Sequence, residues 1–149
     1  MLLQKTESAD SPVKVRLPAL IEHLPDFIEP VLALAKASQV DEERRNDLEL
    51  ALEEALVNIC SYAYPGNTGF IDLVCRIADS RLLILIQDEG VPFSVTSAEH
   101  PDISSGITER KIGGLGIHLI NSLMDEVRYK RQGNRNLLEL TLFIHPQSV

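Results

Sequence analysis

Positive charge, cysteine and long apolar runs are all scarce in this sequence. Fourteen lysine and arginine residues stand against 22 aspartate and glutamate residues, which gives a net charge of −8. This balance argues against non-specific nucleic-acid binding, because proteins that bind the phosphate backbone generally present a basic surface. Small phosphate ligands are still compatible with it, since local backbone amides can bind them.

The few cysteines and the short apolar runs limit the class of protein further. Cys60 and Cys75 fall inside a predicted helix and a predicted strand, where burial as free thiols is expected and a disulfide is the alternative. No apolar run reaches the roughly 20 residues that cross a membrane, and residues 1–8 lack the design of a signal peptide. We therefore expect a cytoplasmic protein without a membrane segment.

A chain of 149 residues suits one domain with a substantial core. Residues 1–11 are polar and are predicted to form a flexible N-terminus. The remaining sequence, 12–146, is predicted to form the single domain.

The most informative stretch is a predicted helix over 47–64, rich in alanine, leucine and glutamate. At 100° per residue, Glu49 and Glu53 fall on a solvated side, while Glu54 and Asn58 share a stripe between two apolar strips. An amide oxygen one turn from a carboxylate suits Mg²⁺. The alternative is a half-buried pair that only caps backbone groups. The apolar face predicted to meet the core comprises Leu48, Leu52, Ala55, Ile59 and Tyr62.

The other elements follow from periodicity and turn signals. Residues 20–38 are predicted to be helical, with the helix proper from about 25, and Asp41 is a predicted N-cap. Strands are predicted at 13–17, 70–77, 82–86, 127–131 and 137–144, a long loop at 94–112 and a helix at 117–124. The wholly apolar strand 82–86 is typical of a central strand covered on both faces. The order predicts an α+β two-layer sandwich, with a mixed or antiparallel sheet and helices on one face.

Asp88 stands where the predicted central strand ends, and Gly90 follows it. An ionised carboxylate only accepts hydrogen bonds, so Asp88 suits the N6 amine of adenine and would repel the O6 of guanine. Gly90 would let the backbone pass close to a flat ring. The alternative is an ordinary turn.

Gly113-Gly-Leu-Gly116 leads into a predicted helix, and Arg110 and Lys111 precede it. Backbone amides at a helix N-terminus favour phosphate. The run is neither the dinucleotide fingerprint nor a P-loop, and a structural turn is the alternative.

Taken together, these motifs resemble the nucleotide-binding fold of the GHKL ATPases. Within that group the chain most resembles the bacterial anti-sigma factor serine/threonine kinases, the switch kinases of stress and sporulation. The likeness covers nearly the whole chain. It rests on Glu54-Ala-Leu-Val-Asn58, Asp88-Glu-Gly-Val-Pro-Phe93, Gly113-Gly-Leu-Gly-Ile-His-Leu-Ile120 and Met124-Asp-Glu-Val127.

The resemblance implies a role for each matching position. Glu54 matches the general base, Asn58 the residue that holds Mg²⁺ on the ATP phosphates, and Asp88 and Gly90 the adenine site. Residues 94–112 match the ATP lid. Arg110 lies near a lid position that approaches the γ-phosphate, and the phosphate-side box comprises Gly113, Gly114, Leu115 and Gly116.

Two positions depart from the general pattern. Pro92 replaces a glycine, as it does in the anti-sigma branch. The last-strand threonine that helps to bind adenine has no clean match: Thr141 is a weak candidate, and Arg135 and Asn136 occupy the turn where relatives often have Gly-Thr.

The resemblance also implies a function. The expected protein uses ATP and Mg²⁺, phosphorylates a small anti-sigma antagonist, sequesters a sigma factor and forms a homodimer. A phosphoacceptor histidine on a dimerisation helix has no counterpart, so none of the four histidines is expected to be catalytic. The alternatives are an ATP-binding switch that does not phosphorylate its partners, and the ATPase half of a split sensor kinase.

Overall fold

The computed structural model of the chain describes residues 11–92 and 117–144. Two helices follow the first strand, and a third precedes the last two strands. The helices are α1 (Leu24–Ala37), entered through a 3-10 turn at Ile21–His23, α2 (Glu42–Tyr62) and α3 (117–123). The strands are β1 (Val13–Pro18), β2 (Phe70–Ala78), β3 (Arg81–Asp88), β4 (Glu126–Gln132) and β5 (Arg135–Phe143).

The five strands form one sheet in the order β1-β2-β3-β5-β4, and every neighbouring pair is antiparallel. The inward residues of the three central strands join residues of all three helices in a single hydrophobic core. This arrangement confirms the predicted α+β sandwich with helices on one face. It also confirms β3 as the central strand.

Among the residues that the structure describes, β3 is covered on one face only, contrary to the prediction that both faces are covered. Leu82, Ile84 and Ile86 are buried against the helices, whereas Leu83 and Leu85 point the other way and are only half-buried. Strand side chains alternate between faces, and the shared core includes only the inward set. A continuous apolar run therefore does not require two covering layers here.

Helix α2 begins at Glu42 because Asp41 caps it. The Asp41 carboxylate accepts a hydrogen bond from the backbone N–H of Arg44 at 2.9 Å, which satisfies one of the unpaired amides of the first turn. The predicted N-cap is thus confirmed. The Arg44 guanidinium then bonds to the carbonyl of Leu123 at 3.1 Å and to Asp125 at 3.0 Å, so the start of α2 is tied to the connection between α3 and β4.

The core face of α2 follows the prediction except at its last residue. Leu48, Leu52 and Ala55 are buried, but Tyr62 is 54% exposed. Ala63, just beyond the helix, is buried in its place. The helical repeat predicts Tyr62 on the core face, but the helix ends at this residue. There the backbone contacts between Ala63 and the segment after β3 decide which side is covered.

Both cysteines are free thiols, so the disulfide alternative is wrong. Cys75 is fully buried in the core, and desolvation raises the pKa of its thiol to about 12. Burial also raises the pKa of Cys60, which is half-buried. Both thiols therefore stay protonated and unreactive near neutral pH. None of the helices in the described ranges has the length and apolarity that crossing a membrane requires.

Candidate functional site

Asp88 is a buried carboxylate at the end of the central strand. Its side chain lies on the helix-covered face of the sheet and is 5% exposed. Its Oδ1 accepts two hydrogen bonds of 2.8 Å, from the backbone N–H of Gly90 and from the Asn136 amide. Within the described residues, no hydrogen bond is directed to Oδ2. One oxygen is thus fixed by the protein, and the other is available to a ligand.

Burial raises the pKa of Asp88 above its ordinary value of 3.8. Hydrogen bonds from Asn136 and Gly90 and the positive charge of Arg131 act in the opposite direction, because they favour the ionised form. The site therefore holds a desolvated carboxyl group whose ionised form is favoured by three neighbours. Such a group is a selective acceptor for an amine hydrogen.

Asn136 is a site residue that the sequence analysis did not assign to nucleotide binding. It is 4% exposed and pairs with Asp88 across β3 and β5. The sequence predicts Asn136 in a turn, whereas it belongs to strand β5, which begins at Arg135. A buried amide at the start of that strand is the signal that could have identified it.

Thr141 does not fit the predicted nucleotide contact. It lies five positions from Asn136 on the regular strand β5, so its side chain points to the opposite face of the sheet. Its neighbours across the ladder are Leu83 and Glu126. The structure therefore separates Thr141 from Asp88, and Asn136 takes its place in the candidate site.

Gly90 allows the end of α2 to pack directly against the end of β3. A Cβ atom at Gly90 would collide with the carbonyl oxygen of Ala63, and the same oxygen accepts a 2.8 Å hydrogen bond from the Val91 N–H. The predicted reason for this glycine was a close approach to a base. The structure supplies an independent reason, a close approach of two backbone segments.

Tyr64 reinforces this junction. Its hydroxyl donates to the carbonyl of Phe70 at 2.7 Å and accepts from the N–H of Glu89 at 2.8 Å, bridging β2 and the end of β3. Together Asp88, Gly90 and Asn136 form what we call the strand end of the site.

Glu54 and Asn58 form the helix end of the site. Both lie on α2, one turn apart on the same stripe, with Glu54 half-buried and Asn58 8% exposed. One polar end of the Asn58 amide, its Nδ2, is buried and has no hydrogen-bond partner among the described residues. Asn58 lies five residues before Ala63, about 7.5 Å along the helix axis from the α2 junction with Gly90.

The unpaired Nδ2 of Asn58 is a hydrogen-bond donor and suits a phosphate oxygen, while the amide oxygen of the same side chain suits Mg²⁺. Mg²⁺ is commonly held by one or two protein oxygens together with substrate phosphates and water. The described residues contain no cluster of three carboxylate, histidine or cysteine ligands, so a metal here would depend on such a shared shell. The amide oxygen of Asn58 and the carboxylate of Glu54 have the chemistry for it.

Several predicted site residues lie outside the described ranges. These are the lid residues 94–112, including Arg110, and the phosphate-side box of Gly113, Gly114, Leu115 and Gly116.

Comparison with known proteins gives a consistent result. A model of the family "Histidine kinase-like ATPase domain" matches residues 17–142. The serine-protein kinase RsbW of Bacillus thuringiensis (strain Al Hakam) is 27% identical over 141 residues, which cover 92% of this chain and 88% of that protein. RsbW of Bacillus mycoides (strain KBAB4) is 26% identical with the same coverage.

A solved structure shares the fold. The histidine kinase domain from the blue-light activated histidine kinase of Erythrobacter litoralis EL346 aligns with a TM-score of 0.54 at 15% sequence identity. The alignment covers 86% of this chain and 62% of that one, so this chain matches less than two thirds of that domain.

Proposed function

The chain belongs to the histidine kinase-like ATPase domain family, and from this premise we propose that it is an ATP-dependent serine/threonine protein kinase that acts as an anti-sigma factor. The observation that carries the nucleotide site is the Asp88 carboxylate, with one oxygen held by Gly90 and Asn136 and the other available. The relatives named serine-protein kinase, similar over 92% of the chain, support the choice of acceptor.

We assign different parts of nucleotide binding and phosphate transfer to different described residues. Asp88 accepts a hydrogen bond from the N6 amine of adenine, and Asn58 supplies an amide oxygen toward Mg²⁺ on the phosphates. When bound, Mg²⁺ neutralises charge on the phosphates. Arg110 and the amides of Gly113, Gly114, Leu115 and Gly116 are assigned to the phosphates by resemblance.

Glu54 is the proposed general base. It takes the proton of the acceptor serine hydroxyl while the serine oxygen bonds to the γ-phosphorus. The bond from that phosphorus to the β–γ bridging oxygen breaks, and ADP leaves. Positioning and charge stabilisation supply most of the acceleration in such transfers.

The proposed protein substrate is a small anti-sigma antagonist, and the proposed captured partner is a sigma factor. A homodimer in the cytoplasm, where ATP and sigma factors are present, completes the proposal. These assignments come from the resemblance to anti-sigma kinases, whereas the names of the relatives support only the serine-protein kinase activity.

The experiment compares the variant Glu54→Ala with the control Glu49→Ala. Glu49 is an exposed residue on the solvated side of the same helix. Each variant is mixed with γ-labelled ATP, Mg²⁺ and small antagonist proteins encoded next to this chain. We expect Glu54→Ala to lower phosphate transfer on the order of 100-fold or more, because general bases contribute that much. Nucleotide affinity should hardly change in either variant.

Three outcomes separate the alternatives. Transfer that persists in Glu54→Ala with binding intact refutes the base assignment. Nucleotide binding without transfer by the wild type favours a switch that does not phosphorylate. Transfer only to a separate chain bearing a histidine favours half of a split sensor kinase.

A further inference from the structure

The amide of Asn136 makes four hydrogen bonds within the described structure. Its nitrogen donates to Oδ1 of Asp88 and to the carbonyl of Val91, both at 2.8 Å. Its oxygen accepts from the Tyr129 hydroxyl at 2.6 Å and from the Arg131 guanidinium at 3.1 Å. A side-chain amide has two N–H donors and two oxygen lone pairs, so these contacts use its full capacity.

The four partners allow only one orientation of the amide. A 180° rotation would turn its NH₂ group toward the Arg131 donor and its oxygen toward the Asp88 carboxylate. Both new contacts would be repulsive, and buried polar groups would lose their partners. The nitrogen of Asn136 is therefore held against Asp88 by residues of β4.

The second donor to Asp88 is held by the same group of residues. The Arg131 guanidinium also donates to the carbonyl of Gly90 at 2.8 Å, while Asn136 donates to the carbonyl of Val91. The segment after β3 thus bonds to the β4–β5 hairpin at two carbonyls. The Gly90 N–H is the other donor to Oδ1 of Asp88. Both hydrogen bonds that Oδ1 accepts therefore depend on the hairpin.

We propose that Asn136, oriented by Tyr129 and Arg131, is the positioning residue that makes Asp88 selective for adenine. This inference rests on the proposed ATP-binding function. By fixing Oδ1, Asn136 directs Oδ2 toward the base. By donating a hydrogen bond, it favours the ionised carboxylate, whose Oδ2 accepts from the N6 amine of adenine and repels the O6 of guanine.

A threonine at this position could not make all the hydrogen bonds that Asn136 makes. Its hydroxyl has one hydrogen to donate, whereas Asn136 donates to Asp88 and Val91 together. The hairpin contacts of Asn136 therefore depend on its being an amide. This makes Asn136→Thr an informative variant beside Asn136→Asp.

The experiment uses the full chain with Asn136→Asp, Asn136→Thr and the control Asn134→Asp, an exposed turn residue two positions away. Affinities for Mg-ADP and Mg-GDP are measured by calorimetry between pH 5.5 and 9. The Asp88 pKa of each ligand-free variant is measured by carboxyl-carbon NMR.

Asn136→Asp should lower ADP affinity at least 10-fold at neutral pH, since a charge-assisted hydrogen bond is lost and a like charge is added. The ADP-to-GDP preference should shrink. The pKa of Asp88 should rise, so the pH below which ADP affinity falls should move upward. Asn136→Thr should shift the ADP affinity, the ADP-to-GDP preference and the Asp88 pKa in the same directions but by smaller amounts. Asn134→Asp should match the wild type in all three.

The two proposals fail in different ways. A wild type that binds no adenine nucleotide refutes the nucleotide site, and base selection falls with it. A wild type that binds ADP, with folded Asn136 variants of unchanged Asp88 pKa and unchanged ADP-to-GDP preference, overturns the positioning role alone. An equal loss of ADP and GDP affinity also overturns it, because base readout would then not depend on Asn136.

Discussion

The two ends of the candidate site differ in how fully the protein satisfies their polar groups. At the strand end, the amide of Asn136 makes four hydrogen bonds and Oδ1 of Asp88 accepts two. At the helix end, the buried Nδ2 of Asn58 has no partner among the described residues. A buried amide without a partner costs stability. The strand end is thus organised by the fold, whereas the helix end retains unused polar capacity.

The difference matches the chemistry expected at each end. A base edge is rigid and is recognised by acceptors whose positions are fixed in advance. A phosphate–metal group brings its own charge and water, so the protein needs to supply only part of its shell. Variants at the two ends should therefore separate base affinity from the affinity gained through Mg²⁺.

The largest expected effect is that of Gly90→Ala. Its methyl group would collide with the carbonyl of Ala63, and overpacking of this kind costs about 3 kcal/mol in unfolding free energy. Urea unfolding measures the loss. The control is Gly66→Ala, where φ is +74° and no atom lies near the added carbon, so backbone strain alone should cost about 1 kcal/mol. Equal losses would contradict the idea that the α2–β3 junction requires a glycine.

Asp88→Asn should weaken all adenine nucleotides by about 2 kcal/mol, with or without Mg²⁺, because an amide is a poorer acceptor than a carboxylate. Calorimetry with ADP, with and without Mg²⁺, measures this. A loss confined to Mg-ADP would instead assign Asp88 to the phosphate side.

The same variant tests the pKa of Asp88 through stability. The folded pKa lies above the unfolded value of about 3.8, so the native state binds the extra proton between the two values. The stability contribution of Asp88 therefore falls as pH rises from the unfolded pKa through the folded pKa. Asp88→Asn should lack this decline and be at least as stable as the wild type at pH 7, by thermal unfolding.

Asn58→Ala should affect only the helix end. It removes the unpaired amide, so unfolding free energy without ligand should stay equal or rise by about 1 kcal/mol, while the affinity gained on adding Mg²⁺ to ADP is lost. Thermal unfolding with ADP, with and without Mg²⁺, measures both effects. Ser61→Ala, an exposed residue of the same stripe, is the control. A clear loss of stability without ligand would contradict the unsatisfied state of Asn58.

The smallest expected effect is that of Thr141→Val. Because Thr141 lies on the sheet face opposite Asp88, nucleotide affinity should be unchanged and unfolding free energy should shift by about 0.5 kcal/mol or less. A loss of ADP affinity would return Thr141 to the nucleotide site and weaken the assignment of Asn136.

Sequence reasoning correctly placed the residues whose relation depends on spacing within one element or between near neighbours. Glu54 and Asn58 are one turn apart because a helix has 3.6 residues per turn, and the Asp41 cap is a contact between near neighbours. It failed at Tyr62 and Thr141. Tyr62 lies where the helix ends against β3, and the face of Thr141 depends on the register between β3 and β5.

Three features can be predicted from the order of residues along the chain: the alternation of strands and helices, the stripe that pairs Glu54 with Asn58, and the position of Asp88 at a strand end. These features follow from short-range periodicity, because the repeat of a helix or a strand fixes which neighbouring residues share a face. The hydrogen-bond partners of Asp88, in contrast, depend on how the strands pair in the folded molecule. Asn136 is 48 residues from Asp88, and the pairing of β3 with β5 brings the two together. The contacts that Asn136 makes with Tyr129 and Arg131 then arise within the β4–β5 hairpin, because β4 pairs with β5 in this register.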